Sequence, residues 1–268
     1  SALADQRRRE MSDLAAEARP GAMPEVKVSI GNPFIEVIAE VTRSDVDLVV
    51  KAARPLSGLH GVFFASTDQH LLRKCPCPVW LRAPGSAATP RTVVAAVDVD
   101  VWDAGEPETL ADLNRRVVET ARRLAAAEAG AVHVLHAWEA VGEGLVWTFA
   151  ADGDARAAAS RYVSEVEDDR RRALSDLLRP FRDVAGPRIV DRLVRGSARA
   201  AIAEQARRLS ADLVVLGTVA RTGLGGVIIG NTAEDILNSV DCSVVAVKPG
   251  GFVSPVAPRL AEGSPAGP

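Results

Sequence analysis

One segment of this chain occurs twice. At an offset of 165 residues, Asp47-Leu-Val-Val50 returns as Asp212-Leu-Val-Val215, Gly58-Leu59 and Gly61-Val62 as Gly223-Leu224 and Gly226-Val227, and Pro84-Gly85 as Pro249-Gly250. Thr67, Leu72, Cys77 and Val79 return as Thr232, Leu237, Cys242 and Val244, so 14 of the 39 positions in 47–85 are identical to those in 212–250 without a gap. Upstream, Gly31 still pairs with Gly196. Chance is a poor explanation for an ungapped register of this length, and two copies of one folding unit in tandem are expected.

The second copy reads from end to end. Thr92–Val97 is an apolar strand closed by Asp98, and 107–128 holds good helix formers with Pro107 suited to the first turn. Ala131–Trp138 is a second strand, 154–178 a long charged helix ended by Pro180, and Arg188–Arg195 a third strand. Ser197 can cap a helix over 198–209. Strand four (212–217), a Gly-rich loop, a short helix over 232–240 and strand five (242–247) complete the unit. Strict alternation of mostly apolar strands with helices specifies an α/β unit whose parallel sheet is covered on both faces.

The first copy lacks its opening. By the offset, Ser1 corresponds to Val166, inside the long helix of the second copy. Strands are expected at 26–30, 46–51 and 77–82, with no counterpart of strand one, helix one or strand two. The expectation is a fragment short of roughly 75 residues, the distance from Arg91 to Val166. A naturally shortened unit is the alternative. The expected organisation is therefore the C-terminal half of a first unit over 1–85, a linker over 86–90, a complete second unit over 91–250, and a flexible tail over 251–268, where four Pro and two Gly fall within the last 17 residues.

Composition narrows the function classes. Hydrophobic residues at 47% supply a core, and a net charge of −3 lacks the basic excess that phosphate neutralisation by a nucleic-acid binder requires. No apolar run reaches the roughly 18 residues that span a bilayer. Three cysteines make no disulfide framework, and a reducing cytoplasm is the expected setting.

The segment Leu216-Gly-Thr-Val-Ala-Arg-Thr-Gly-Leu-Gly-Gly-Val-Ile-Ile-Gly230, followed by Asn231 and Thr232, joins strand four to a helix start. Glycines allow close backbone approach to a ligand, and free N–H groups at a helix start favour anions. The place is the carboxyl edge of a parallel sheet, where ligands of such folds bind. The spacing fits neither a Walker loop nor a dinucleotide fingerprint, since no Gly-Lys-Ser/Thr follows and Ile228 stands where a third Gly belongs. Tight strand-to-helix packing is the competing use of such glycines.

The run Gly217-Thr-Val-Ala-Arg-Thr-Gly…Gly230-Asn-Thr-Ala-Glu234, with Thr67-Asp-Gln-His-Leu-Leu-Arg-Lys-Cys-Pro-Cys-Pro-Val-Trp80 in the first copy, resembles the universal stress protein family, in particular its tandem E-type members. The resemblance covers about 1–250. It implies two tandem doubly wound sheets of order 3-2-1-4-5, of the adenine nucleotide alpha hydrolase-like kind. It also implies that the two fifth strands pair antiparallel about a pseudo-two-fold, an intramolecular pseudo-dimer from which a homodimer can be built. The nucleotide-binding branch carries Gly-x2-Gly-x9-Gly-Ser/Thr, which falls here on Gly217, Ala220, Gly230 and Asn231, with Thr232 next. Ala220 replaces the second Gly and Asn231 the hydroxyl. Asp98 matches the family's acidic contact to the nucleoside and Ala137 a backbone contact to adenine.

The E type is regarded as outside the nucleotide-binding branch. The resemblance thus implies a non-enzymatic stress-response module acting on a protein partner or small ligand, with ATP or AMP binding in the second unit as the alternative. In the first copy Ala52, Pro55 and Ala65 replace the three glycines and Lys51 stands where the second copy has Leu216, so that site is expected to be degenerate.

Other chemistry-bearing residues read as structural. His133 and His136 are three apart on one strand and face opposite sides, so they cannot share a metal. Cys75-Pro-Cys77 lacks a second ligand pair, and Cys77/Cys242 is a repeated fold position. Arg170-Arg-Arg172 follows Glu165, Glu167, Asp168 and Asp169 as a mixed solvated face. No nucleophile with a positioned base stands out. Neither catalytic residues nor a metal site are expected.

Overall fold

The structure, a computed structural model, describes residues 2–18, 24–53, 66–100, 104–140, 142, 144, 153–218, 235–236 and 239–256. Its helices are α1 (Ala2–Ala18), α2 (Pro33–Ser44), α3 (Ser66–Lys74), α4 (Pro107–Leu124), α5 (Gly153–Leu178) and α6 (Ala198–Arg208). Its strands are β1 (Val49–Ala52), β2 (Val79–Arg82), β3 (Thr92–Ala96), β4 (Ala131–Trp138), β5 (Arg188–Arg195), β6 (Leu213–Gly217) and β7 (Ser243–Val247).

Helix boundaries follow local chemistry. Pro33 and Pro107 occupy first turns, where a missing N–H costs nothing. Asp45 stops α2 in the left-handed region at φ 47° while its N–H bonds to the Val41 carbonyl. Pro180 sits in the 3-10 turn Arg179–Phe181 that follows α5. In the second unit the Asp212 carboxylate accepts the N–H groups of Arg91 (2.8 Å) and Thr92 (2.9 Å), so the acidic residue opening the repeat fastens the entrance of β3.

All seven strands form one sheet of order β1-β2-β7-β6-β3-β4-β5. The second unit contributes β5-β4-β3-β6-β7, which is the expected 3-2-1-4-5 arrangement, and every pair within it is parallel. β2 then pairs antiparallel with β7, Val79 opposite Ala246, Trp80 opposite Val245 and Leu81 opposite Val244. Trp80 and Val245 are themselves related by the 165-residue offset. The repeat's pseudo-two-fold therefore passes through that pair, and the two expected sheets are one continuous sheet.

Two apolar layers flank it. One holds Ile38, Leu71, Leu72, Cys75, Val79 and Leu81 from the first unit against Val94, Leu135, Ile202, Val214, Val244 and Ala246 from the second. The other holds Trp80 with Val93, Ala95, Leu113, Val117, Val215, Val245 and Leu174. Both cross the β2–β7 joint, so the units share a core. The outer edge at β5 alternates Arg188, Asp191, Arg192 and Arg195 with apolar residues, and charge on an edge discourages pairing with other chains.

β1 is the other edge, parallel to β2. Its Val49 packs into the first layer while Val50 is 53% exposed. Beside it, a groove of about 410 Å3 separates Leu48 and Pro78 from Arg116, Thr120 and Leu124 of α4.

Two expectations need correction. Residues 26–30 form no strand; the described chain from 24 to 30 is irregular and pairs with no strand of the sheet, and an extended segment without a ladder partner has no hydrogen bonds to hold it. The flexible tail expected over 251–268 fails at its start, because Ser254 and Val256 are buried and Val256 joins the first apolar layer, while residues 257–268 lie outside the described residues. Most of the short helix expected over 232–240 lies outside the described residues.

A shared core makes the two units unfold together. Leu81 is fully buried at the joint, and Leu81→Ala should cost about 2–5 kcal/mol. Denaturant unfolding followed by circular dichroism and by tryptophan fluorescence, with Trp80 at the joint and Trp138 in the second unit, should give coincident single transitions that the variant shifts together. Two separated transitions would show that the joint does not couple the units.

Candidate functional site

The reversal of strand order in the second unit falls between β3 and β6. The chain leaves β3 for β4 on one side and reaches β6 on the other, and this opens a crevice beyond the strand ends. Ala96 is level with Leu216 across β3–β6 and with Leu135 across β3–β4. Asp98, Ala137 and Gly217 thus emerge together at the carboxyl edge, all three half-buried. Ala220, Gly230, Asn231 and Thr232 lie outside the described residues.

Asp98 is held by its backbone. Its N–H donates to Asn114 Oδ1 (3.0 Å) and its carbonyl accepts from Asn114 Nδ2 (2.6 Å). Asn114 is 4% exposed on α4, between the core residues Leu113 and Val117. The Asp98 carboxylate also accepts the N–H of Asp100 at 3.2 Å, a tight turn that presents it at the end of β3.

Below Asp98 lies a buried ionic cluster. Asp100 Oδ1 is 3.1 Å from Arg170 Nε on α5 and 3.8 Å from His136 Nε2 on β4. His136 Nδ1 lies 3.3 Å from the Val97 carbonyl and 3.4 Å from the Val99 N–H. Burial holds the His136 imidazole below its ordinary pKa, against the opposing pull of Asp100 and Asp98. Ligand atoms of Asp98, Asp100 and His136 come within 4.8 Å of one another, so these three are the residues with which a cation can be held. A bound metal would require them to close to roughly 3.5 Å, as bonds of about 2.1 Å dictate. Arg170 already supplies a positive charge to Asp100, and the arrangement reads as a salt-bridged support for the strand end.

Gly217 has a packing reason. A Cβ there would meet Leu113 Cδ2 at 2.6 Å and Cγ at 2.9 Å, and Leu113 is buried. Close approach of α4 to β6 therefore requires glycine at 217 whether or not a ligand is bound. The next residue, Thr218, is buried, and its hydroxyl accepts from Lys248 Nζ at 2.6 Å. The same ammonium donates to the carbonyls of Leu72 (2.6 Å) and Arg73 (3.2 Å) at the end of α3. Burial pushes Lys248 down to about 7. One buried lysine thus ties the last turn of a first-unit helix to the exit of β6.

At the corresponding strand end of the first unit stands an ion pair. Lys51 Nζ lies 2.5 Å from the carboxylate of Asp68, which is fully buried in the first turn of α3. Lys51 also donates to the Ala52 carbonyl at 3.1 Å. Lys51 and Asp68 are the sequence counterparts of apolar Leu216 and Ala233 in the repeat. Pro55 and Ala65 lie outside the described residues.

The two histidines fall as expected, on opposite faces. His133 accepts from Arg192 Nε at Nδ1 (2.9 Å) and packs apart from His136. The spacing of the sequence did not reveal Asn114, Asp100, Arg170, Asp68 or Lys248 as parts of these sites. The available signal was a polar residue within an apolar periodicity, as Asn114 is in Leu113-Asn-Arg-Arg-Val-Val118.

A doubly wound α/β sheet with a switch-point crevice defines the class of fold. The universal stress protein family model matches residues 1–81 and 109–248. Universal stress protein E of Salmonella typhi is 31% identical over 250 residues, covering 92% of this chain and 75% of the relative. Universal stress protein E of Escherichia coli K12 is 30% identical over 237 residues, covering 88% and 72%. Among solved structures, a putative universal stress protein from Pseudomonas aeruginosa UCBPP-PA14 aligns with a TM-score of 0.64 at 26% identity, covering 95% of this chain and 81% of that one. The chain belongs to the universal stress protein family, and its function falls within the stress response.

Two measurements check these sites. Lys51→Met removes a cation from beside the buried Asp68 carboxylate and should cost about 3 kcal/mol, the lower end for a broken buried pair because Lys51 itself is partly exposed. A denaturation midpoint unchanged from wild type would remove the pair's structural role.

The histidines set a pH dependence. Burial lowers the pKa of His70, His133 and His136 in the folded protein. As pH falls through about 6.5 the unfolded chain takes up protons that the folded chain refuses, so stability declines on acidification. Urea midpoints at pH near 7.5 and 5.5 should show the drop, and His136→Gln should reduce it. An equal drop in the variant would exonerate His136.

Proposed function

We propose that this protein is a stress-response regulatory module that acts by binding, through the switch-point crevice of its second unit. The observation that supports this reading is the convergence of Asp98, Ala137 and Gly217 at the carboxyl ends of β3, β4 and β6. A half-buried carboxylate there, its backbone clamped by Asn114, suits a hydrogen-bonding ligand. In the first unit the corresponding strand end carries the ion pair of Lys51 with Asp68, so the reading confines the ligand to the second unit.

The ligand class we infer is an adenine nucleotide, ATP or AMP. The nucleoside would lie against Asp98 and Ala137, with the phosphates toward Gly217 and the segment holding Ala220, Gly230, Asn231 and Thr232. An alanine where glycine is preferred costs about 1 kcal/mol if φ must be positive, which is less than one decade of affinity. The second reading, a module whose crevice holds no nucleotide and whose partner is a protein, is favoured by the packing reason for Gly217, which needs no ligand.

Denaturing the purified protein and identifying any released small molecule separates the two. Calorimetric titration with ATP should show binding that Asp98→Ala abolishes and that Ala220→Gly with Asn231→Ser tightens, about fivefold for the relief of strain alone. No binding by wild type or by the double variant, with nothing released, would overturn the nucleotide reading. Turnover of bound ATP would overturn the non-catalytic one.

A further inference from the structure

The segment between α3 and β2 carries chemistry that the crevice does not use. α3 ends at Lys74, and the N–H of Cys75 closes its last turn on the Leu71 carbonyl at 2.9 Å. Pro76 breaks the helix, and Cys77 stands two residues before β2. This geometry folds the two sulfurs toward each other, Sγ to Sγ 3.7 Å, with one thiol hydrogen-bonded to the other. Cys75 is fully buried and Cys77 is 9% exposed.

We propose that Cys75 and Cys77 form a redox site, a thiol pair poised to close into an intrachain disulfide that staples the end of α3 to the start of the joint strand β2. Two features distinguish it from an inert pair of core cysteines. The sulfurs already touch, so the disulfide bond of about 2.05 Å needs only local movement at the junction between two elements. Their electrostatics are also unequal. Hydrogen bonding with Cys77 draws the Cys75 pKa down, and the nearby Lys248 ammonium adds to this, while Cys77 is pushed up.

The third cysteine supplies an internal contrast. Cys242 is the more exposed residue, yet burial pushes its thiol up to about 11 and no neighbouring sulfur assists it. Reactivity governed by exposure would begin at Cys242. Reactivity governed by the thiol pair begins at Cys75.

With hydrogen peroxide as oxidant the step balances. The Cys75 thiolate attacks a peroxide oxygen, the O–O bond breaks, and the departing hydroxide takes up the proton that Cys75 released, leaving Cys75 as a sulfenic acid and one water. The Cys77 sulfur then attacks the Cys75 sulfur. The S–O bond breaks, and the leaving hydroxyl takes the Cys77 proton as a second water. Two thiols and one peroxide become one disulfide and two waters, and a dithiol reductant reverses the change.

Trypsin cleaves after Lys74 and Arg82, so both cysteines fall in the single peptide 75–82. The intact protein would be titrated with hydrogen peroxide, denatured in a thiol alkylating agent, digested and weighed. The expected product is peptide 75–82 lighter by two hydrogen atoms and unalkylated, restored by dithiothreitol, while Cys242 is still alkylated. Cys77→Ala should stop at the sulfenic acid, which dimedone labels on Cys75. Oxidation of Cys242 ahead of a doubly alkylated 75–82 would overturn the proposal. So would a sulfinic acid at either position in place of the disulfide. Alkylation blocked before any peroxide is added, and released by a chelator, would instead mark a bound soft metal and overturn it too. If the variant does not fold, the wild-type peptide decides alone.

Discussion

The antiparallel pairing of β2 with β7 is the contact on which the molecule depends. Both are apolar fifth strands of repeated units, and either alone would present an open edge of unpaired N–H and C=O groups. Paired, they satisfy each other's hydrogen bonds and align Leu81 with Val244 and Trp80 with Val245. Because the register is centred on two residues related by the repeat, equivalent positions of the two units face each other across the joint. Core layers on either face of the sheet then become continuous. The Ala83 N–H adds a bond to Ser243 Oγ at 3.1 Å, and Lys248 adds bonds to the end of α3.

On this common frame the two units differ in chemistry at the carboxyl edge of the sheet. In the second unit the edge carries Asp98 beside small residues, Ala137 and Gly217. In the first unit a lysine and an aspartate replace two apolar residues and neutralise each other inside. A buried pair costs desolvation that its attraction roughly repays, so it contributes little net stability. What it does is occupy space with satisfied charge.

Buried charge elsewhere acts as fastening. Arg170 reaches from α5 to Asp100, and Asn114 reaches from α4 to both backbone groups of Asp98. Helices on one face of the sheet thereby fix the turn after β3 that presents the proposed ligand contact. Each tie is hydrogen-bonded or ion-paired, as the low dielectric of the interior demands.

The sequence by itself determined the repeat and the α/β class, which follow from apolar runs and turn residues whose meaning is local and from an offset that needs no coordinates. The strand order of the second unit and the pairing of the fifth strands were implied by the resemblance to the universal stress protein family. The same reading placed Asp98, Ala137 and Gly217 at one edge, because parallel strands bring their carboxyl ends together. It misplaced a strand at 26–30, where an apolar-polar alternation was legible but the lack of a ladder partner was not. Only the tertiary structure decided that two sheets are one, that Leu113 leaves no room for a side chain at 217, that Lys51 meets Asp68, and that Lys248 spans the units. Cys75 and Cys77 show the same division: in the sequence Cys77 reads as a repeated fold position and Cys75-Pro-Cys77 as lacking a second ligand pair, and only the end of α3 before Pro76 brings the two sulfurs into contact. Contacts between residues far apart in the chain depend on how elements pack, and packing is set by side-chain volume and burial across the whole sheet, which no local pattern encodes.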